Sequence, residues 1–215
     1  MGCLMDIMRF GRRLHDLFWD TKLNISTRKQ VAKKDVISLN KDGLGYAPTG
    51  YFLLQRIMKK LSIKETDVFA DYGCGMGRVT CFAARFPFKK VYGIELYSDI
   101  AAVAKRNSQT LRNPKASIEI IGGCDVLDFD CKEVTCFFFF NPFGEVTMRG
   151  VLNRIHKSLL ENPRHIQMIF FNLQQAAIFD EYNWLRKRED LSFKTWGGHV
   201  VLFYENIPYE TKTAT

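Results

Sequence analysis

An α/β fold, with a mostly parallel sheet and helices packed on both faces, is what this sequence predicts. Three observations predict it. Short apolar runs alternate with stretches of helical periodicity through the middle of the chain. One junction, residues 67–95, places an apolar run, a glycine-punctuated turn, a helical pattern and a second apolar run in succession, the form of a nucleotide-binding strand–turn–helix–strand unit. Near the C-terminus two strand-like runs flank Gly197-Gly198, a hairpin signal.

Composition sets the bounds. A chain of 215 residues, 47% hydrophobic and 25% charged, is long enough for one domain with a sizeable core and has an ordinary soluble composition. Its longest notable apolar run, Cys136–Phe140, is strand-length and far short of the ~20 residues of a membrane span. Arg9, Arg12 and Arg13 interrupt any signal-peptide core, and Asp6 stands where a myristoylation sequence needs Ser or Thr. Six cysteines without a C-x-x-C pair and four scattered histidines predict reduced thiols, a cytoplasmic protein and no zinc site. The net charge is +8, of which eight Lys/Arg against three Asp/Glu lie in residues 1–34. We therefore expect a basic N-terminal helix and arm over 1–45, able to steer toward nucleic acid, and a folded domain over 46–215.

Taken in order, 6–18 reads as an amphipathic helix with Ile7, Phe10, Leu14, Leu17 and Phe18 on one face. Packing on the domain or in a dimer is the first expectation; a membrane-surface anchor and a substrate lid are the alternatives. Residues 19–40 read as an extended connection. Tyr46-Ala47-Pro48-Thr49-Gly50 turns into a helix over 51–61, with Thr49 placed to cap it. A strand over 68–70 precedes the turn Asp71-Tyr72-Gly73-Cys74-Gly75-Met76-Gly77, a helix starts at Arg78 and stops at Pro87, and a strand over 91–94 ends at Glu95. Glycines permit positive φ and let a ligand lie against the backbone, and an acid at the end of the second strand suits a ribose. A helix over 98–111, a strand over 117–121 and the loop Gly122-Gly123-Cys124-Asp125-Val126 follow. The apolar 134–140 reads as a central strand ending in Asn141-Pro142-Phe143-Gly144. A helix over 146–160, a strand over 166–171, a helix over 174–184 and strands over 191–196 and 199–204 complete the reading.

The pattern D-x-G-x-G-x-G, with Arg78 where a dinucleotide fingerprint has its third glycine, resembles motif I of the class I S-adenosyl-L-methionine (SAM)-dependent methyltransferases. Val-Tyr-Gly-Ile-Glu-Leu over 91–96 resembles the segment that follows it there. The resemblance runs from about 46 to 204. It implies a Rossmann-like seven-stranded, mostly parallel sheet with an antiparallel strand beside the fifth, delivered by the C-terminal hairpin. It also implies SAM as cofactor and methyl transfer to a nitrogen of a protein side chain or small molecule. Asp71, Gly73, Cys74, Gly75 and Gly77 would hold the methionine portion, Glu95 and Leu96 the ribose, and Asp125 and Val126 the adenine, with Asp128 competing for Asp125's part. A Pro-Thr element in some members, including certain protein lysine methyltransferases, is similar to Pro48-Thr49. It puts Tyr46 and Thr49 within reach of SAM, with plain helix capping as the alternative. Asn141-Pro142-Phe143 resembles the [D/N/S]-P-P-[Y/F] motif of amino-methylating members with one proline fewer. That assigns Asn141, Pro142 and Phe143 to the acceptor, with Asn141 also touching cofactor, unless the loop is only a structural turn. An NAD(P)-dependent oxidoreductase shares the strand–turn–helix–strand unit. A non-catalytic SAM-binding protein is the third reading.

Overall fold

The computed structural model describes residues 2–28, 48–171, 176–195 and 200–208. Its helices are α1 (Gly2–Leu23), α2 (Tyr51–Met58), α3 (Arg78–Ala83), α4 (Ser98–Thr110) and α5 (Glu145–Glu161). Its strands are β1 (Val68–Tyr72), β2 (Lys90–Glu95), β3 (Ser117–Gly122), β4 (Cys136–Phe140), β5 (Gln167–Phe171), β6 (Leu185–Lys187), β7 (Phe193–Lys194) and β8 (Val200–Asn206). They form one sheet in the order β3-β2-β1-β4-β5-β8-β6, with β7 paired to β8. The first five strands are parallel, and β8 runs antiparallel between β5 and β6. This is the predicted antiparallel strand beside the fifth.

Period-two alternation sorts the strand residues onto two faces. Tyr72, Phe137, Phe139, Phe170 and Tyr204 face α5, which contributes Met148, Val151, Leu152, Ile155 and Leu159. Phe69, Phe138, Ile169 and Phe203 face α2 and α3, with Tyr51, Leu54, Val79 and Phe82. β1 is buried along its whole length and β4 for all but its last residue, as central parallel strands must be.

Three elements depart from expectation. The sheet has eight strands rather than seven: the strand read over 191–196 shortens to two-residue β7 on β8, and β6, read as no strand, joins the edge. Charged β6 is a strand because its Arg186 meets Glu205 of β8. In place of a helix over 174–184 there is a 3-10 helix, Ala176–Glu181. Trp196 and the Gly197-Gly198 turn lie outside the described residues.

α1 departs most. It extends through Leu23, so residues 19–23 are helical rather than an extended connection. It packs on the domain, but through the face opposite the one expected. Phe10, Leu14, Leu17 and Phe18 are exposed, while Asp20 and Leu23 are buried. The polar face docks because a buried arginine, Arg78, pairs with Asp16 and Asp20.

Candidate functional site

The carboxyl ends of the parallel strands gather most of the candidate residues, as open α/β sheets place their ligand crevices. At the end of β1, Gly73, Gly75 and Gly77 take φ of 77°, 55° and 81°, the left-handed region that glycine enters without Cβ strain. Two of them also lack room. A Cβ on Gly73 would meet Pro142 Cβ at 2.7 Å, and one on Gly77 would meet Ala104 Cβ at 3.1 Å. The turn is held by its own backbone: Gly73 and Cys74 N–H groups both donate to the Ile94 carbonyl at 2.9 Å. Gly73 is exposed, whereas Cys74–Gly77 are buried, so the turn presents its first glycine outward.

Glu95 closes this turn onto β2. Its Oε2 accepts from Gly75 N–H at 2.8 Å and its Oε1 from Tyr97 N–H at 3.1 Å. Burial pushes its carboxyl above the usual range, against the backbone donors that lower it. Leu96, next in sequence, is half-buried.

Asp71 lies on the same face of the sheet as Gly93 and Glu95, and its Oδ2 accepts from Thr80 Oγ1 of α3 at 2.8 Å. Burial lifts its carboxyl to about 7; the Thr80 hydrogen bonds oppose this and the Glu95 charge adds to it. The Cys74 thiol is raised well above its usual range by burial and then by the charges of Asp71 and Glu95, so it is a neutral packing group rather than a nucleophile.

After β3, Asp125 and Val126 are half-buried. Asp125 Oδ1 accepts from Leu127 N–H at 2.9 Å in an Asx turn, leaving the other oxygen outside that bond. Asp128 is exposed, and Cys124 N–H reaches the Glu95 carbonyl at 3.4 Å. After β4, Asn141 has φ 44°, and its buried Oδ1 has no hydrogen-bond partner among the described residues. Pro142 lies against Gly73. Phe143 is buried edge-on to Phe139 at 6.3 Å and belongs to the core. Thr49 is buried, and its Oγ1 is likewise without a partner among the described residues. It does not cap α2, whose N-cap is Gly50 without a side-chain bond. Tyr46 lies outside the described residues.

The structure thus brings the glycine turn, Glu95, Cys124 and Pro142 together. The left-handed turn, exposed at Gly73, and the two orphaned buried oxygens of Thr49 and Asn141 suit a polar ligand such as SAM. Sequence reasoning missed Thr80, Ala104 and Asn107. Asn107 Nδ2 donates to the Met76 carbonyl in the turn at 2.8 Å. Its sign in the sequence was a lone amide continuing the i, i+3 stripe of Ala101 and Ala104.

The strand order and the turn define the fold of the class I SAM-dependent methyltransferases. Solved structures with this fold include an RNA methyltransferase from Salinibacter ruber in complex with S-adenosyl-L-homocysteine. It is 20% identical, covering 78% of this chain and 98% of that one, with a TM-score of 0.53. The ribosomal protein L11 methylase of Lactobacillus delbrueckii subsp. bulgaricus is 17% identical over 74% of this chain and 81% of that one, also with a TM-score of 0.53. More narrowly, residues 44–120 match the family model of the histone methylation protein DOT1. The H3 lysine-79-specific histone-lysine N-methyltransferase of Dictyostelium discoideum is 33% identical over 63% of this chain and 8% of its own length. Its Drosophila melanogaster counterpart is 37% identical over 28% of this chain and 3% of its own. The chain therefore spans less than a tenth of the length of these curated relatives.

Proposed function

We propose that this chain is a SAM-dependent methyltransferase acting on a nitrogen, specifically a lysine side chain of a protein. The observation that carries the reading is the left-handed glycine turn laced to Glu95 at the ends of β1 and β2. The match of residues 44–120 to the DOT1 family supports the lysine acceptor.

When bound, SAM supplies a methyl group on a positively charged sulfonium, already a strong electrophile. The protein has to bind, align and exclude water. The backbone of 73–77 receives the methionine portion. Glu95 takes the ribose hydroxyls, and Asp125 and Val126 take the adenine. Asn141 Oδ1, buried without a partner, accepts an N–H from the incoming amine and so aims its lone pair. Pro142 walls the site over Gly73, and Phe143 anchors that loop in the core. The amine enters as the free base, having released its proton to solvent. Asp71 ties β1 to α3 through Thr80 and takes no part at the acceptor.

Titration calorimetry with SAM and its demethylated product tests the cofactor. Wild-type protein is expected to bind both, and Glu95→Ala to weaken SAM at least tenfold through two lost hydrogen bonds. No binding by wild type overturns the reading. Radiolabelled methyl transfer to fractionated lysate tests the acceptor: label on protein lysines supports it, and label confined to nucleic acid or small molecules overturns the lysine assignment.

A further inference from the structure

Arg78 is the first residue of α3 and follows the last glycine of the turn directly. It is 1% exposed and heads the largest fully buried side chains. Three stretches of chain, α1, the segment after it and residues 49–51, converge on its guanidinium. Nε donates to Thr27 Oγ1 at 2.6 Å, and Nη1 donates to Asp16 Oδ2 at 3.1 Å and to the Thr49 carbonyl at 3.3 Å. Nη2 lies 3.5 Å from Asp20 Oδ1, and the Tyr51 ring centroid is 4.7 Å away.

The partners are cross-linked to one another. Asp20 accepts from Tyr51 Oη at 2.6 Å and from Thr27 N–H at 3.1 Å. Asp16 Oδ1 accepts the first N–H of α2, from Tyr51, at 3.2 Å. The phenol of Tyr51 is held protonated by burial and by its bond to Asp20, so it remains a donor.

A second link runs to the same turn from the other side. Asn107 of α4 holds Ser26 N–H and the Ser26 carbonyl as well as the Met76 carbonyl. The segment after α1 is therefore fastened to residue 76 through Asn107 and to residue 78 through Thr27. Nothing about burial alone calls for charge here: a well-packed apolar group of similar volume stabilises a fold as well as a buried ion pair does. What a guanidinium with fixed fork geometry adds is a single permitted arrangement of its partners.

We propose that Arg78 is a positioning residue for the cofactor site. It locks α1 and the 24–28 segment against the glycine turn, so that the N-terminal helix and the turn order as one unit. The catalytic unit then begins within α1, not after the basic arm. The cofactor part of this inference rests on the methyltransferase reading; the coupling of helix to turn does not.

The experiment is amide hydrogen exchange on the full chain, wild type against Arg78→Met, without ligand. Residues 10–28 and 73–83 are expected to lose protection together, by tenfold or more, while β4 and β5 keep theirs. If the turn keeps its protection when the helix loses it, the proposal falls. Should Arg78→Met fail to fold, Asp16→Asn, which turns one acceptor toward the guanidinium into a donor, reads the same two segments. SAM calorimetry on the folded variant supplies the second readout. A merely structural arginine leaves the affinity unchanged, whereas a positioning one weakens it at least tenfold, with Arg78→Lys recovering part of the loss. Wild type that binds no SAM sinks the methyltransferase reading, and the ligand-free exchange result still decides the coupling.

Discussion

Both faces of the sheet are closed by apolar packing, but only one of them also carries buried charge. On the α5 face, Phe139 stacks on Phe170 at 4.7 Å and meets Tyr72 at 5.0 Å. Contact there is set by volume and ring geometry, which tolerate exchange of one apolar group for another of similar size. On the α3 side near the glycine turn, Arg78, Asp16, Asp20, Thr27 and Tyr51 form a buried polar knot. Arg78 Nη2 makes no hydrogen bond among the described residues and has only the ion-pair approach to Asp20, so loss of any other partner leaves buried charge uncompensated. Bulk holds both layers, and the knot on one of them also fixes which parts of the chain meet.

The contrast is broken most severely at Arg78. Arg78→Met leaves two carboxylates facing a group that cannot answer them and should cost about 3–5 kcal/mol in chemical denaturation. Phe139→Leu on the aromatic face should cost only about 1–1.5 kcal/mol. Equal losses at the two positions would erase the distinction. Gly77→Ala comes next, at about 1–2 kcal/mol, because φ is 81° and Ala104 stands 3.1 Å from the new methyl.

A subtler effect comes from Asp71. Its folded carboxyl, raised to about 7 from 3.8, binds a proton that the unfolded chain has already lost in that window. Stability should therefore fall as pH rises from about 4 to 7 and level off above. Asp71→Asn should flatten the slope of the denaturation midpoint over that range; an unchanged slope would place the titration elsewhere. The smallest effect belongs to Arg149→Ala. It breaks exposed pairs to Glu145 and Glu181 yet should leave the midpoint where it is, since such pairs are solvated and screened.

The two faces also differ in how readable they were. Apolar runs and glycine spacing located β1 to β5, the turn and Glu95, because burial on both sides writes itself as hydrophobicity. The polar knot left no such trace. Arg78 stood out only as a missing glycine, and the apolar stripe of α1 pointed to the wrong docking face. The partners of Arg78 are 51 and 62 residues away at Thr27 and Asp16, a pairing that no local periodicity encodes. Phe143 read as facing the acceptor through the resemblance of Asn141-Pro142-Phe143 to an amino-methylating motif, and its register beyond β4 sets it against Phe139. β6 was missed because Leu185-Arg186-Lys187 carries its strand signal in a partner, Glu205, and not in itself.

The place of β8 in the sheet has a consequence for the order of events during synthesis. Among the described residues, β6 and β7 pair with nothing but β8. Both leave the ribosome before it, so each is an unpaired strand until 200–206 appear. Until then the growing chain offers β5, with Met168, Ile169 and Phe170, as an open apolar edge, the kind of surface that recruits other chains. Among the described strands, β8 is made last, and it is the one that closes that edge.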